Sequence, residues 1–197
     1  MKIVTLKNRI EKLIGKHISV HKNCISIGFD TSVHSTGIAI IETTDTEIKL
    51  VHTELIEVPT GKHADMAVSM ATFKLKLHDF REWLELYLED KDGYKILVIE
   101  ETFFSRNAFV FKVLSRFGGI VYGALDHLMN ETMLHTPLSA RAVIGFKKDK
   151  ESKLTLKSQI IKHVNKLMGL KLDQDDIADA VNLAVSGVFF INKHQKK

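Results

Sequence analysis

The chain has 197 residues, 45% hydrophobic and 26% charged, which suits one globular domain able to bury a sheet with helices on both faces and excludes a second large domain. Its single cysteine, Cys24, excludes an internal disulfide and a zinc site built on thiolates, and points to a reducing, cytoplasmic setting. A net charge of +4 and a pI near 9.0 permit a polyanionic partner without requiring one.

Residues 1–17, "MKIVTLKNRIEKLIGKH", alternate charged with apolar side chains, so they read as a basic amphipathic leader and not as the apolar core of a signal peptide. Residues 1–23 are therefore set apart as an extension, followed by one domain over 24–194. No apolar run reaches the roughly 18 residues of a membrane span, and no membrane partner is expected. Only Pro59 and Pro137 interrupt the chain, and no low-complexity segment or solenoid repeat gives an internal boundary.

Residues 25–29, 36–42 and 47–58 read as three consecutive strands, with "TTDT" turning the second hairpin. Met66, Met70, Phe73, Leu77, Phe80, Leu84 and Tyr87 then recur at spacings of three and four, which predicts a long amphipathic helix over 64–88. "YKILVIEE" supplies a fourth strand, and a helix carrying Phe111, Leu114, Val121, Leu125 and Leu128 follows it. "TMLHTP" gives a short fifth strand, after which Thr136 and Pro137 look like the cap and first residue of another helix. Leu156, Ile160, Ile161, Val164 and Leu167 mark a helix closed by Gly169, and Asp173 is placed to cap the last one, "DDIADAVNLAVSGVFFI". Sequential strands followed by strand and helix alternation predict an α/β fold with a mixed five-stranded sheet between helices.

Acids sit where this pattern would not place them for packing alone. Asp30 ends the first apolar strand of "ISIGFDTSVHSTGIAI", and Glu100 and Glu101 end "KILVI". Asp176 and Asp179, three apart, share one face of the last helix beside Ala180, Val181, Ala184 and Val188. A turn aspartate, a solvated strand end and a first-turn acid favoured by the helix dipole are the ordinary readings of Asp30, Glu100 and Asp176. Asp179, one turn inside the helix between alanines, is not explained that way. If the first and fourth strands are parallel neighbours, Asp30 and Glu100 meet at their carboxyl ends, where open α/β sheets hold ligands. Four carboxylates at one point need cations to neutralise them, and oxygen-only ligation points to Mg²⁺ or Mn²⁺.

The set "IGFDTSVHSTGIAI", "VIEETFFSRNA", "SARAV", "LKSQI" and "DDIADAVNLA", in this order, resembles the RuvC-type Holliday-junction resolvases, nucleases of the RNase H-like superfamily. The resemblance implies that Asp30, Glu100, Asp176 and Asp179 are four catalytic carboxylates holding two Mg²⁺ ions, with Mn²⁺ able to substitute. It implies symmetric nicking of a four-way DNA junction by a homodimer, leaving 5′-phosphate and 3′-hydroxyl ends, with the helix from Ala108 at the dimer interface. It also makes Phe103 an aromatic near opened junction bases and Lys157 a functional basic residue; for Phe104 a core position is the expectation. Arg141, Lys147, Lys148, Lys150, Lys153, Lys162 and Lys166 cluster around Lys157 and are expected to hold phosphates, against the plainer reading of a solvated face.

The basic residue that relatives carry after their "AAR" falls on Ile144, so that role is either dropped or passed to Lys147 or Lys148, and such departures suggest a viral or phage branch acting in a bacterial or host cytosol. A sugar-kinase or actin-like phosphate loop is the competing enzyme reading of "GFDTSVHSTG", but the chain is short for two such domains and lacks a second Gly-rich loop. A broader branched-DNA or flap nuclease, and a non-catalytic DNA-binding module, are the remaining alternatives.

Overall fold

The computed structural model describes residues 1–59, 65–102 and 108–191. The leader forms helix α1 (Ile3–Ile14) and strand β1 (Ile18–Val20). Strands β2 (Cys24–Thr31), β3 (Ser35–Thr43) and β4 (Ile48–Glu57) follow as an antiparallel meander, and then helix α2 (Met66–Glu89). Strand β5 (Tyr94–Glu100), helix α3 (Ala108–Leu125), strand β6 (Glu131–His135) and the helices α4 (Pro137–Val143), α5 (Leu156–Met168) and α6 (Asp175–Val188) complete the domain, and β7 (Phe189–Ile191) returns to β1.

The main sheet has the order β4-β3-β2-β5-β6, with β5 parallel to both β2 and β6. It is the mixed five-stranded sheet that the sequence predicts. Its central strands β2, β3 and β5 are buried on both faces. Ile25, Ile27, Phe29, Ile38, Ile40, Leu97 and Ile99 meet Phe73, Leu77, Phe80 and Leu84 of α2 and Val113, Phe117 and Val121 of α3. The other face packs Ala39, Ile41, Ile96 and Val98 against α6, α5 and α1. Alternation along each strand therefore sends successive side chains into two separate cores.

Helix α6 lies directly on β2 and β3, and two glycines make room for it. A Cβ on Gly28 would overlap the backbone of Ala180 and Ala184, and one on Gly37 would overlap the backbone of Asp176. The absence of side chains at these two strand positions, opposite small residues of the helix, sets how near the acidic end of α6 comes to the sheet.

Several sequence expectations need correction. The cap of α6 is Gln174, with no side-chain bond, because Asp173 lies one residue outside the helix start; Asp175 and Asp176 occupy the first turn instead. Residues 189–191 leave the last helix to pair with β1, a long-range contact invisible to helical periodicity. The leader, set apart in the sequence reading, buries Ile3, Leu6 and Ile10 in the α6 core. Helix α3 with the turn after it, Ala108–Leu128, is long and apolar enough to cross a membrane by length and composition, although it holds no unbroken apolar run of that length. Lys112 and Arg116 break the apolar run without lowering its average enough, and Val113, Phe117, Val121 and Leu125 are buried against the sheet.

Candidate active site

Strands β2 and β5 run in parallel register with Phe29 opposite Ile99, so the next residues, Asp30 and Glu100, leave the sheet side by side at its carboxyl end. The close approach of α6 permitted by Gly37 brings Asp176 and Asp179 to the same place. Asp30, Glu100, Asp175, Asp176 and Asp179 all line one open cleft of about 570 Å³, together with Thr136, Pro137, Leu138, Arg141 and Lys157. The four acids singled out in the sequence are therefore distant in the chain and adjacent in space. Glu101, by contrast, is exposed, and its backbone N–H donates to the His135 carbonyl of the neighbouring strand.

Burial and crowding set the electrostatics. Asp30 is only 8% exposed, and burial, a hydrogen bond shared with Glu100, and the charges of Glu100, Asp179 and Asp176 push its carboxyl well above the usual range. Burial also raises Glu100, although the hydrogen bond from Asp30 and the Arg141 charge oppose the rise. Asp30 and Glu100 therefore act as a coupled pair in which burial favours holding a proton. Burial raises Asp179 as well, despite the opposing Arg141 guanidinium.

Two cations and a hydroxyl occupy carboxylate oxygens in this arrangement. Arg141 Nη2 donates to Asp179 Oδ1 and Oδ2 at 3.2 and 3.0 Å. Lys157 Nζ pairs with Asp175, and Ser35 Oγ donates to Asp176. With these oxygens engaged, no group of three or more His, Cys, Asp or Glu side chains among the described residues stands preassembled around a metal position. The donor set nevertheless fits a hard divalent cation: all donors are oxygens, and the like charges that raise Asp30 and Glu100 are what such an ion relieves.

The basic residues divide. Arg141 and Lys157 reach the cleft, each tied to an aspartate, whereas Lys147, Lys148, Lys150 and Lys153 are exposed on the α4–α5 connection and do not line it. Lys162 and Lys166 are exposed on α5. Ile144, where relatives carry a base, is buried at the end of α4, and its carbonyl lies 3.1 Å from His163 Nε2. Phe103 and Phe104 lie outside the described residues.

Sequence reasoning missed Asp175 and Ser35. The doubled acid of "QDDIAD" was a signal for the first, since adjacent first-turn residues can both reach one helix end. Nothing local marks Ser35, whose partner Asp176 is brought to it by the helix packing on Gly37.

The family described as crossover junction endodeoxyribonuclease RuvC matches residues 26–187. The RuvC crossover junction endodeoxyribonuclease of Dictyoglomus thermophilum is 24% identical over 166 residues, covering 84% of this chain and 96% of that protein. The fold is similar to that of T. thermophilus RuvC in complex with a Holliday junction substrate, with a TM-score of 0.56 and 16% identity over 82% of this chain and 90% of that one. It is also similar to the yeast mitochondrial Holliday junction resolvase, with a TM-score of 0.50 and 12% identity over 89% of this chain and 81% of that one. With the match spanning every strand of the main sheet and all four carboxylates, the chain is a member of the RuvC family of crossover junction endodeoxyribonucleases.

Proposed function

We propose that this chain is a divalent-metal-dependent endonuclease that resolves four-way DNA junctions by symmetric paired nicks, leaving 5′-phosphate and 3′-hydroxyl ends. The observation that carries the reading is the meeting of Asp30, Glu100, Asp176 and Asp179 in one cleft at the carboxyl end of β2 and β5. The family consists of crossover junction endodeoxyribonucleases, and a structural relative is described with a Holliday junction bound. Asp30, Glu100, Asp176 and Asp179 would hold the metal, proposed as two Mg²⁺ ions with Mn²⁺ as a substitute. When bound, the ions supply charge neutralisation of the scissile phosphate and a lowered pKa for a coordinated water.

The chain's own residues do the rest. Burial of Asp30 keeps bulk water from solvating the acid it shares with Glu100, so both carboxyls remain paired until a cation enters. Lys157, at the first turn of α5, offers an ammonium at the cleft mouth, and Lys147, Lys148, Lys150 and Lys153 extend positive charge beyond it for phosphates of the duplex arms. Phe103 is proposed to stack on opened bases, a contact of roughly 1–3 kcal/mol. A homodimer is proposed through α3, which exposes Phe109 and Tyr122 beside Gly119 and Gly123. The nuclease domain is proposed to span 24–194, with 1–23 as an extension that packs onto its α6 side and pairs with its last strand, in a cytoplasmic setting.

The test is incubation of purified protein with a labelled synthetic four-way junction, with and without Mg²⁺. Paired nicks at symmetric positions in Mg²⁺ alone are expected, and D30N and E100Q should bind the junction without cutting it. Cleavage by both variants at the wild-type rate would refute the metal role of these acids, and single unpaired cuts on flaps would point to the broader branched-DNA nuclease.

A further inference from the structure

Arg141 pairs directly with Asp179, one of the four carboxylates singled out above, so its charge is already engaged. One guanidinium nitrogen, Nη2, is shared between the two oxygens of Asp179 as a charge-assisted donor. It therefore holds both oxygens of Asp179 as a permanent counter-ion. Those are the oxygens a divalent ion would need from Asp179, and an ion drawn to them meets a like charge already seated 3.0 Å from Oδ2. A second observation points outward from the acids. Arg141 Nε is buried and has no hydrogen-bond partner, although the side chain lines the cleft. A buried donor of this kind is a liability unless something binds it. Helix α4 itself is anchored, because the Thr136 side chain accepts from Ser139 N–H and Ala140 is buried, so a change at Arg141 is a rotation of the side chain.

We propose that Arg141 is an exchange latch: without metal it neutralises Asp179, and when a divalent cation takes Asp179 the guanidinium turns onto a phosphate of the bound DNA. This rests on the divalent-metal reading above. Whichever ligand binds first must open the Arg141–Asp179 pair, and the second finds it open, so cation and DNA bind cooperatively. The coupling is reciprocal: each raises the affinity for the other by one common factor.

The test uses the full chain, Ca²⁺ as probe cation and a synthetic four-way junction whose strands are checked intact on a denaturing gel. Calorimetry gives the Ca²⁺ affinity with and without junction, and fluorescence anisotropy gives the junction affinity with and without Ca²⁺. In the wild type the two factors should agree and lie within about 5–150-fold. In R141Q, Ca²⁺ alone should bind about tenfold more tightly, because nothing competes for Asp179, while the common factor falls toward one. R141K, with a single ammonium, should lie between.

An arginine that only supports the fold predicts weaker Ca²⁺ binding when lost, and simple neutralisation of the acids predicts an undiminished factor in R141Q. Either result overturns the latch, as does a wild-type factor of one or less. Should R141Q fail to fold, the wild-type factor and R141K decide. Ca²⁺ binding by the wild type and not by D30N would leave the metal reading standing in those cases, whereas no binding of Ca²⁺, Mg²⁺ or Mn²⁺ by the wild type defeats both.

Discussion

Replacing Asp30 with asparagine should stabilise the metal-free protein at neutral and alkaline pH and abolish its thermal response to Mg²⁺. Burial, the bond to Glu100 and the charges of Glu100, Asp179 and Asp176 raise the folded-state pKa of Asp30 above its unfolded value of about 3.9. Between those two pKa values the folded state binds more protons than the unfolded one. The stability present below the unfolded pKa is therefore lost as pH rises toward the folded pKa, at about 1.4 kcal/mol per pH unit, and stays lost above it. For a chain of this size 1 kcal/mol moves Tm by about 2–4 °C, so this one group lowers Tm by roughly 3–6 °C per pH unit inside the window. An asparagine amide can hydrogen-bond to Glu100 but carries no charge at any of these pH values.

Mg²⁺ acts in the opposite direction by binding only the folded state. An ion at 100 times its Kd adds about 2.7 kcal/mol, or roughly 5–11 °C for this chain. The assay is thermal unfolding followed by circular dichroism from pH 5 to 9, in EDTA and in Mg²⁺, for wild type and D30N. The wild-type curve in EDTA should fall with pH relative to that of D30N, and Mg²⁺ should lift only the wild type. A D30N protein that melts below the wild type at pH 8 in EDTA and gains as much from Mg²⁺ would refute the electrostatic account of the cleft.

G37A should displace the acidic end of α6, because the added methyl meets the Asp176 backbone; a loss of about 1–3 kcal/mol in chemical denaturation with cleavage abolished is expected, and near-wild-type cleavage would show that helix placement does not depend on this glycine. K157Q should weaken junction binding and lower the salt slope by up to about 0.9, since Lys157 is already shared with Asp175, whereas D175N should tighten binding by freeing the lysine. Unchanged binding by both variants would assign Lys157 to a solvated ion pair.

The sheet was legible because its central strands are apolar on both faces and its turns carry "TTDT" and "DKDG"; that the first and fourth strands are parallel neighbours, a condition in the sequence reading, is what the order β4-β3-β2-β5-β6 shows. Thr136 and Gly169 cap α4 and α5 as read, because capping is chemistry within a few residues. What stayed hidden depends on distant partners. Residues 18–20 and 189–191 are too short to signal strands and exist only by pairing with each other. Ile3, Leu6 and Ile10 make a core face on α1, but the leader's charges conceal that the face has an α/β core waiting for it.

The same distinction runs through the site. That Asp30, Glu100, Asp176 and Asp179 should converge could be argued from strand ends and helix spacing, since backbone geometry fixes where such side chains start. Their charge balance could not. Arg141 and Lys157 read as free phosphate contacts, yet each sits on an aspartate, because a cleft dense in carboxylates recruits whatever cation its own chain can supply. Basic residues beside an acidic centre are therefore divided between those that neutralise its carboxylates and those that keep their charge free of it. Their distance from the acids decides the division: Arg141 and Lys157 line the cleft, while Lys147, Lys148, Lys150 and Lys153, beyond its rim, keep their charge exposed to solvent.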